Sequence, residues 1–304
     1  MTTVRASLDI AHCLDSSKLT PEENFQVYGK CNRKGGHGHR WTVSVTVANV
    51  TESVLTTLVK EAIENNFDHR NLNLSESCPH MAGIVPTVEN FAYVAVSLLK
   101  TAMLQKGLNP LDIKRIRVFE TRTGSTTWDP TPYDIEHLNG RLLLAGTMSD
   151  VILPTMSVTK RVELWHEPGS VPADLDAASL WRVEGPGAGV SAHAVHFDLT
   201  FRGHLNLDKG MVENLCTVKD VLLEALKKSA LKDPKDVSLD DLACIFEQCK
   251  QVMIARYLDP SLVYQVHWEY ERTSSVQTLA LPGKDSAAAD YRLHIRQCTY
   301  PTQV

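Results

Sequence analysis

The sequence has no tract of clustered basic residues. Its formal net charge is −5 and its pI is about 6.2. A protein that binds mainly nucleic acid needs Lys and Arg to neutralise phosphates. The charge therefore argues against nucleic acid as a partner, and any anionic ligand must be held by local cations.

Long apolar runs are missing as well. No run approaches the ~20 residues of a membrane span, and the opening MTTVRASLDIAHCL lacks the basic and apolar regions of a secretory signal. The seven cysteines are an odd number in a long chain, which indicates reduced thiols and not a disulfide framework. These absences predict a cytoplasmic protein with no membrane partner.

What the sequence does have is a concentration of reactive side chains in Asn24–Val47. Cys31 stands six residues before His37, and His37 stands two residues before His39. From Trp41 onward apolar and hydroxyl residues alternate, which is typical of a half-buried strand. Side chains two apart on a strand point the same way, so His37 and His39 can face one point.

A third histidine ends another predicted strand. Apolar residues of Val4–His12 share one face with His12. If the two strands pair antiparallel, His12, His37 and His39 meet at one edge of the sheet. Three imidazoles with an open fourth position are how catalytic zinc is held. The spacing predicts a zinc site, although HxH also occurs on strands by chance.

The sequence resembles the 6-pyruvoyl tetrahydropterin synthase family. The matching segments follow the family order across roughly residues 4–128. They are IAHCL (Ile10–Leu14), PEENFQVYGKCN (Pro21–Asn32), GHGHRW (Gly36–Trp41), FDHRNLN (Phe67–Asn73), PTVEN (Pro86–Asn90) and IRVFET (Ile116–Thr121). The related 6-carboxytetrahydropterin synthases place their cysteine closer to the HxH pair, so the six-residue step favours the pyruvoyl enzyme.

Periodicity predicts two units of the order ββααββ, an α+β fold. In the first, helices are expected at Glu52–Asn65 and Val88–Gln105, with Thr87 as N-cap, before strands at Ile113–Thr121 and Ser125–Trp128. In the second, we expect helices Thr217–Ser229 and Leu239–Arg256, then strands Tyr264–Tyr270 and Val276–Leu281. The resemblance implies tandem T-fold units, whose antiparallel four-stranded sheets carry two helices on one face and assemble into barrels.

The two predicted units correspond to each other at a constant offset of 154 residues, which indicates a duplication. Position 12 corresponds to His166 and position 39 to His193, so both histidines recur in the second unit. At the same offset Gly185 corresponds to Cys31 and Ser191 corresponds to His37, so the second copy lacks the thiol and one of the three metal ligands. Glu269 is expected to stand where Glu120 does. The predicted domains are a zinc-binding catalytic domain at 1–134, a linker at 135–156 and a degenerate structural domain at 157–304.

The two copies differ after their second strand. The second half contains LNLDKGMVENLCTVKDVL (Leu205–Leu222), which resembles a hairpin and helix start of the family. The first half is about nine residues shorter there. Within the linker RLLLAG is apolar enough to form a strand, and the tail after Gly283 has no counterpart in the first half.

The resemblance implies conversion of 7,8-dihydroneopterin triphosphate to 6-pyruvoyl tetrahydropterin with loss of triphosphate. This internal redox reaction needs no hydride carrier, in keeping with the absence of GxGxxG and GxxxxGK[ST] motifs. Zinc would act as Lewis acid and Cys31 as base, with Lys30 and Arg33 favouring its thiolate. Asp68 and His69 would be an orienting and relaying pair.

Substrate contacts follow from the same resemblance. Glu120 would accept N–H bonds from the aminopyrimidine edge of the pterin, with an ion pair to Arg115 or Arg117 as the alternative. Thr87 and Glu89 match positions near the pterin, although helix capping also explains them. The triphosphate would need cations, for which the candidates are Lys30, Arg33, Lys34 and Arg40; ordinary solvated surface charge explains each equally well.

Open sheet edges promote pairing with other chains, so a homo-oligomer is expected, most simply a trimer of tandem units. In this assembly the second copies are expected to contribute sheet edges and the Leu205–Leu222 segment to the active sites of the first copies. Two other functions are open: a zinc-holding pterin binder or regulatory subunit without turnover, and a related pterin lyase with a carboxy product or an aldolase-like cleavage.

Overall fold

The structure, a computed structural model, describes residues 1–138, 153–166, 193–206, 208–229, 237–270, 275–280 and 292–297. The fold is mixed α+β and its strands pair mostly antiparallel. Two compact units form, one from Met1–Val158 with Gly203–Asn214, the other from Thr159–Arg202 with Leu215–Val304. We call Gly203–Asn214 the hairpin insert. Unit 1 is therefore built from two separate stretches of chain. The predicted domain boundaries stay a prediction.

The sheet of unit 1 carries the predicted apolar stripes. Its strands are β1 (Thr2–His12), β2 (His37–Val47), β3 (Arg70–Asn71), β4 (Ile113–Thr121) and β5 (Gly124–Trp128), in the order β5-β4-β2-β1-β3. β1 and β2 pair antiparallel over their full length, whereas β3 pairs parallel with β1 at only two residues. Alternation buries Leu8 and Ile10 of β1 and Trp41 and Val43 of β2.

The helices of unit 1 are α1 (Pro21–Tyr28), α2 (Glu52–Val59), α3 (Asn65–Phe67), α4 (Val88–Gln105) and α5 (Pro132–His137). Buried side chains of α2, α3, α4 and α5 form one apolar core with the sheet, whereas Tyr28 of α1 lies in a separate small cluster. The predicted bounds and N-cap of α4 are confirmed: the Thr87 hydroxyl accepts from the Asn90 N–H at 3.2 Å. The single helix predicted at Glu52–Asn65 is wrong in detail, because a π-helical turn at Lys60–Glu64 interrupts it.

Unit 2 has the predicted order of elements. It contains most of β6 (Thr155–His166) and of β7 (His193–His204), together with α6 (Leu215–Lys228), α7 (Leu239–Ala255), β8 (Val263–Tyr270), β9 (Ser275–Ala280) and β10 (Arg292–Gln297). The sequence left β10 unassigned; it lies in the tail and pairs antiparallel with β9. RLLLAG at 141–146 lies outside the described residues, as do Gly185 and Ser191.

Strand register corrects one prediction about unit 2. Glu269 lies opposite His196, just as Phe119 lies opposite Thr42, and the offset of 154 relates Thr42 to His196. Glu269 is thus the counterpart of Phe119 and not of Glu120. A shift of one residue moves a side chain to the other face of a sheet, so unit 2 does not repeat the Glu120 carboxylate.

No helix in the described part of the chain is long and apolar enough to cross a membrane.

Candidate metal centre and active site

Three histidines converge where β1 ends and β2 begins. His12 lies directly opposite His37 in the strand register, and His39 lies opposite Ile10. Ring centroids are 4.6 Å apart for His12 and His37, 5.2 Å for His12 and His39, and 4.7 Å for His37 and His39. One nitrogen from each ring lies within 4.8 Å of the other two. We call these residues the histidine cluster.

The surroundings of His12 leave one nitrogen ready to bind a metal. Its Nδ1–H donates to the Pro86 carbonyl at 2.8 Å, so the lone pair stands on Nε2. Burial is the main reason that the pKa of His12 is lowered to about 4, which keeps the ring neutral. The Nε2 atoms of His12 and His39 are buried without a hydrogen-bond partner among the described residues. Such orphaned atoms are costly, and three neutral imidazoles suit zinc.

Gly36 brings the two strand ends together. Its φ is +65°, in the left-handed region, and a Cβ there would lie 2.9 Å from the His12 carbonyl oxygen. Only glycine adopts this conformation without strain and leaves that space. Gly36 therefore lets the start of β2 approach the end of β1.

Glu120 lies beside the histidine cluster. Its Oε1 is 3.7 Å from His12 Nε2 and 3.9 Å from His39 Nε2, and its side chain is only 14% exposed. Arg115, one of its alternative partners, is held by Asp129 at 2.5 Å and 3.1 Å. The carboxylate thus stands at the cluster, where a ligand of the histidine site can reach it.

Thr87 and Glu89 are buried at the N-terminus of α4. The Thr87 hydroxyl donates to the Gly210 carbonyl, and Glu89 Oε1 accepts from the Val212 N–H at 3.3 Å. Burial is the main cause that raises the pKa of Glu89 to about 8, and the nearby Glu120 raises it further. The carboxyl is therefore mostly protonated at neutral pH. Capping explains the Thr87 contact to Asn90 but not a fully buried Glu89.

Cys31 lies in a 3-10 turn, Gly29–Asn32, and is partly buried. It packs against a small apolar cluster that includes Leu14, Tyr28 and Met211. Lys30, in the same turn, is exposed.

Of the other cations, Arg33 and Lys34 are exposed. Burial lowers the pKa of the His37 imidazole, and the positive charge of nearby Arg33 lowers it further. Arg40 is engaged elsewhere, since it forms a bidentate ion pair with Asp9 at 2.8 Å and 2.9 Å.

Asp68 and His69 form a second cluster. Asp68 Oδ2 is 3.0 Å from His69 Nδ1, and Asp68 Oδ1 accepts from the Asp9 N–H at 2.8 Å. This hydrogen bond from Asp9 is the main cause that lowers the pKa of Asp68. His69 is 76% exposed and has φ +56°, a strained conformation of the kind found at functional sites. Asp9 and His12 are an odd number of residues apart on β1, so the two clusters lie on opposite faces of the sheet.

A cleft of about 730 Å³ opens beside His12. Its walls include Cys13, Asp15, Lys34 and Asn73. The cleft offers room for a ligand larger than a single ion next to the histidine cluster.

Sequence reasoning missed the residues that position the site. Asp9 and the Pro86 carbonyl are the main examples, whereas the segment Leu205–Leu222, which contains most of the hairpin insert, was expected to contribute to the active sites. Pro86 lies in the matched segment PTVEN, and a polar Asp9 amid the β1 stripe was visible. No local pattern predicts that a segment after residue 200 reaches Thr87.

Known proteins of one family are similar to the N-terminal part of the chain. The profile of the 6-pyruvoyl tetrahydropterin synthase family matches residues 1–130. The 6-pyruvoyl tetrahydrobiopterin synthase of Homo sapiens is 36% identical over 126 residues, or 38% of this chain and 82% of that protein. The Dictyostelium discoideum protein of that name is 36% identical over 99 residues, or 30% of this chain and 70% of that protein. The solved Caenorhabditis elegans 6-pyruvoyl tetrahydropterin synthase has 27% identity and a TM-score of 0.38, covering 43% of this chain and 94% of that one. The chain belongs to the 6-pyruvoyl tetrahydropterin synthase family.

Proposed function

We propose that unit 1 converts 7,8-dihydroneopterin triphosphate to 6-pyruvoyl tetrahydropterin with elimination of triphosphate, in the cytoplasm. The observation that carries this proposal is the histidine cluster with its buried, unpartnered Nε2 atoms beside Glu120. It lies within the residues that match the family. The reaction is an internal redox tautomerisation, so the chain needs no hydride carrier.

The metal would be zinc held by His12, His37 and His39. When bound, it supplies a Lewis acid that makes a C–H beside a forming carbonyl more acidic. The Pro86 carbonyl supports this role because it fixes the His12 tautomer that leaves Nε2 free.

Cys31 would take up the proton released from the substrate side chain. A thiolate is the reactive form, and the cations Lys30 and Arg33 in the same loop favour it. The partly buried position of Cys31 in its turn keeps the thiol in a defined place while leaving it accessible to a ligand.

Pterin recognition would fall to carboxyl groups. Glu120 would accept N–H bonds from the aminopyrimidine edge, and Thr87 and Glu89 would contact the same ring. Lys30, exposed beside the catalytic thiol, would bind the triphosphate.

Asp68 and His69 would serve the site of a neighbouring chain. They lie on the opposite sheet face from the histidine cluster, and beyond Ile10–Ala11 the outer edge of β1 pairs with no described strand. Open edges favour pairing between chains. A homo-oligomer, most simply a trimer of tandem T-fold units closed into barrels, would place this pair at a neighbour's substrate.

The test is turnover of dihydroneopterin triphosphate by the pure zinc-loaded chain, with mass spectrometry of the product. Release of triphosphate with a 6-pyruvoyl product is expected. Binding without turnover would instead favour a zinc-holding pterin binder or regulatory protein. A carboxy product or an aldolase-like fragment would point to a related pterin lyase.

A further inference from the structure

The hairpin insert contacts the N-terminal part of unit 1 through its backbone. Four side chains of unit 1 meet it: Ser16 Oγ donates to the Asp208 carbonyl at 2.6 Å, Tyr28 OH donates to the Lys209 carbonyl at 2.8 Å, Thr87 Oγ1 donates to the Gly210 carbonyl, and Glu89 Oε1 accepts from the Val212 N–H at 3.3 Å. Two of the four, Thr87 and Glu89, are candidate pterin contacts.

The described residues of the insert, 203–206 and 208–214, pair as a hairpin. Asn206 and Met211 form an antiparallel bridge, and the Gly210 N–H donates to the Asn206 carbonyl at 2.6 Å. Met211 is buried against Leu14 and Tyr28, in the apolar cluster on which Cys31 also packs. The insert therefore reaches both the pterin-binding carboxyl and the turn that carries the thiol.

The first half has no hairpin of its own at the corresponding place. Its chain passes from the end of β2 at Val47 to the start of α2 at Glu52 with only four residues between them. The contacts to Thr87 and Glu89 come from beyond residue 200, and without them both side chains would lose hydrogen-bond partners at buried positions.

We propose that the hairpin insert is a positioning element of the pterin site, which holds Thr87 and Glu89 in place and thereby determines the affinity for the pterin ring. The inference rests on the proposed function in that it takes a pterin as the ligand. Hydrogen bonds from a rigid hairpin restrict the rotamers of both side chains, so that less ordering is needed when the ligand binds.

Gly210 provides a specific perturbation. It has φ +68°, and a Cβ there would overlap with Nδ2 of Asn90, so in Gly210→Ala either the Asn90 side chain or the hairpin must shift, which disturbs the contact between the insert and α4. Gly107 is a matched control, because it has φ +67° and no atom within 4 Å of its Cβ position. Both substitutions cause the same backbone strain, but only Gly210→Ala disturbs the contact of the insert with α4.

The experiment measures binding of 7,8-dihydroneopterin, which lacks the triphosphate, to the zinc-loaded full-length chain, together with kcat and KM for the triphosphate. For Gly210→Ala we expect about tenfold weaker binding, the loss of roughly one well-placed hydrogen bond. KM should rise by a similar factor, whereas kcat and zinc content stay near wild type. Gly107→Ala should bind as wild type does. Equal affinities of the two variants would overturn the proposal.

A second pair of variants covers the case in which Gly210→Ala does not fold. Tyr28→Phe removes the hydroxyl donor to Lys209 and keeps the ring, and Tyr133→Phe removes a hydroxyl from an exposed ring on α5. Weaker pterin binding by Tyr28→Phe alone supports the positioning role. A lower melting temperature with unchanged pterin affinity would mean that the insert only stabilises unit 1.

The two proposals fail in different ways. A chain that binds dihydroneopterin in a hairpin-dependent manner but releases no triphosphate contradicts the proposed function and retains the positioning role. A wild-type chain that binds no dihydroneopterin overturns both.

Discussion

Glu89 makes the stability of unit 1 depend on pH in an unusual direction. Its folded-state pKa of about 8 lies above the ordinary 4.5 because burial disfavours the charged carboxylate. Between these two values the folded chain binds a proton that the unfolded chain releases. The contribution of Glu89 to stability is therefore greatest below pH 4.5, falls as pH rises through this window, and levels off above pH 8.

The size of the effect follows from the shift. Each unit of pH inside the window corresponds to about 1.4 kcal/mol. From pH 6 to pH 8 the wild type should lose roughly 2 kcal/mol of unfolding free energy relative to Glu89→Gln. Glutamine keeps the shape of the side chain and does not titrate.

Urea unfolding followed by tryptophan fluorescence measures this difference. Trp41 and Trp128 are buried in unit 1, so their emission reports on the unit that contains Glu89. The chain should be free of metal, because protons compete with zinc for histidine. Glu76→Gln, at an exposed position, controls for loss of one charge and should follow wild type. Parallel pH profiles for wild type and Glu89→Gln would refute a buried, protonated Glu89.

Four further predictions concern the metal, the thiol and the assembly. Metal analysis should give one tightly bound zinc per chain, because the second copy has Ser191 in place of a histidine ligand. Two tightly bound zinc ions per chain would contradict this hypothesis about Ser191. Cys31→Ala should abolish turnover and retain zinc, whereas loss of both would make the thiol a ligand. Chains with Cys31→Ala and chains with His69→Ala should each be inactive but regain measurable activity when coexpressed, and no recovery would place both groups in one chain's site. A fragment 1–134 should aggregate or lose activity, because it lacks the hairpin insert. A stable, fully active fragment would contradict the structural role proposed for the rest of the chain.

The sequence was sufficient to predict the parts of unit 1 that depend on short-range periodicity. The alternation that ends in His12 and begins at His39 predicts paired strands with the histidines at one edge, and Thr87 with the apolar positions after it predicts α4. These features depend on residues a few positions apart, where spacing and geometry are directly related.

Strand register and packing between distant segments could not be predicted from the sequence. The position of Glu269 depends on which residue of β7 it faces, and a count along the chain misses a shift of one residue. The π-helical turn at Lys60–Glu64 has no sequence signature. The resemblance predicts that Asp68 and His69 orient and relay protons, but it gave no position for the pair, and the alternation of β1 puts Asp9, and with it this pair, on the sheet face opposite the histidine cluster.

The discontinuity of unit 1 also bears on how the protein is made. A ribosome synthesises the chain from the N-terminus to the C-terminus, and domains generally fold as they emerge from the ribosome. Unit 1 cannot close in this way, because Gly203–Asn214 is synthesised after Thr159–Arg202, which belongs to unit 2. For the few seconds of translation in between, the nascent chain would have the histidines and the thiol but an uncovered α4 N-terminus. If the proposed function holds, zinc capture precedes formation of the pterin pocket, and substrate binding requires translation past Asn214.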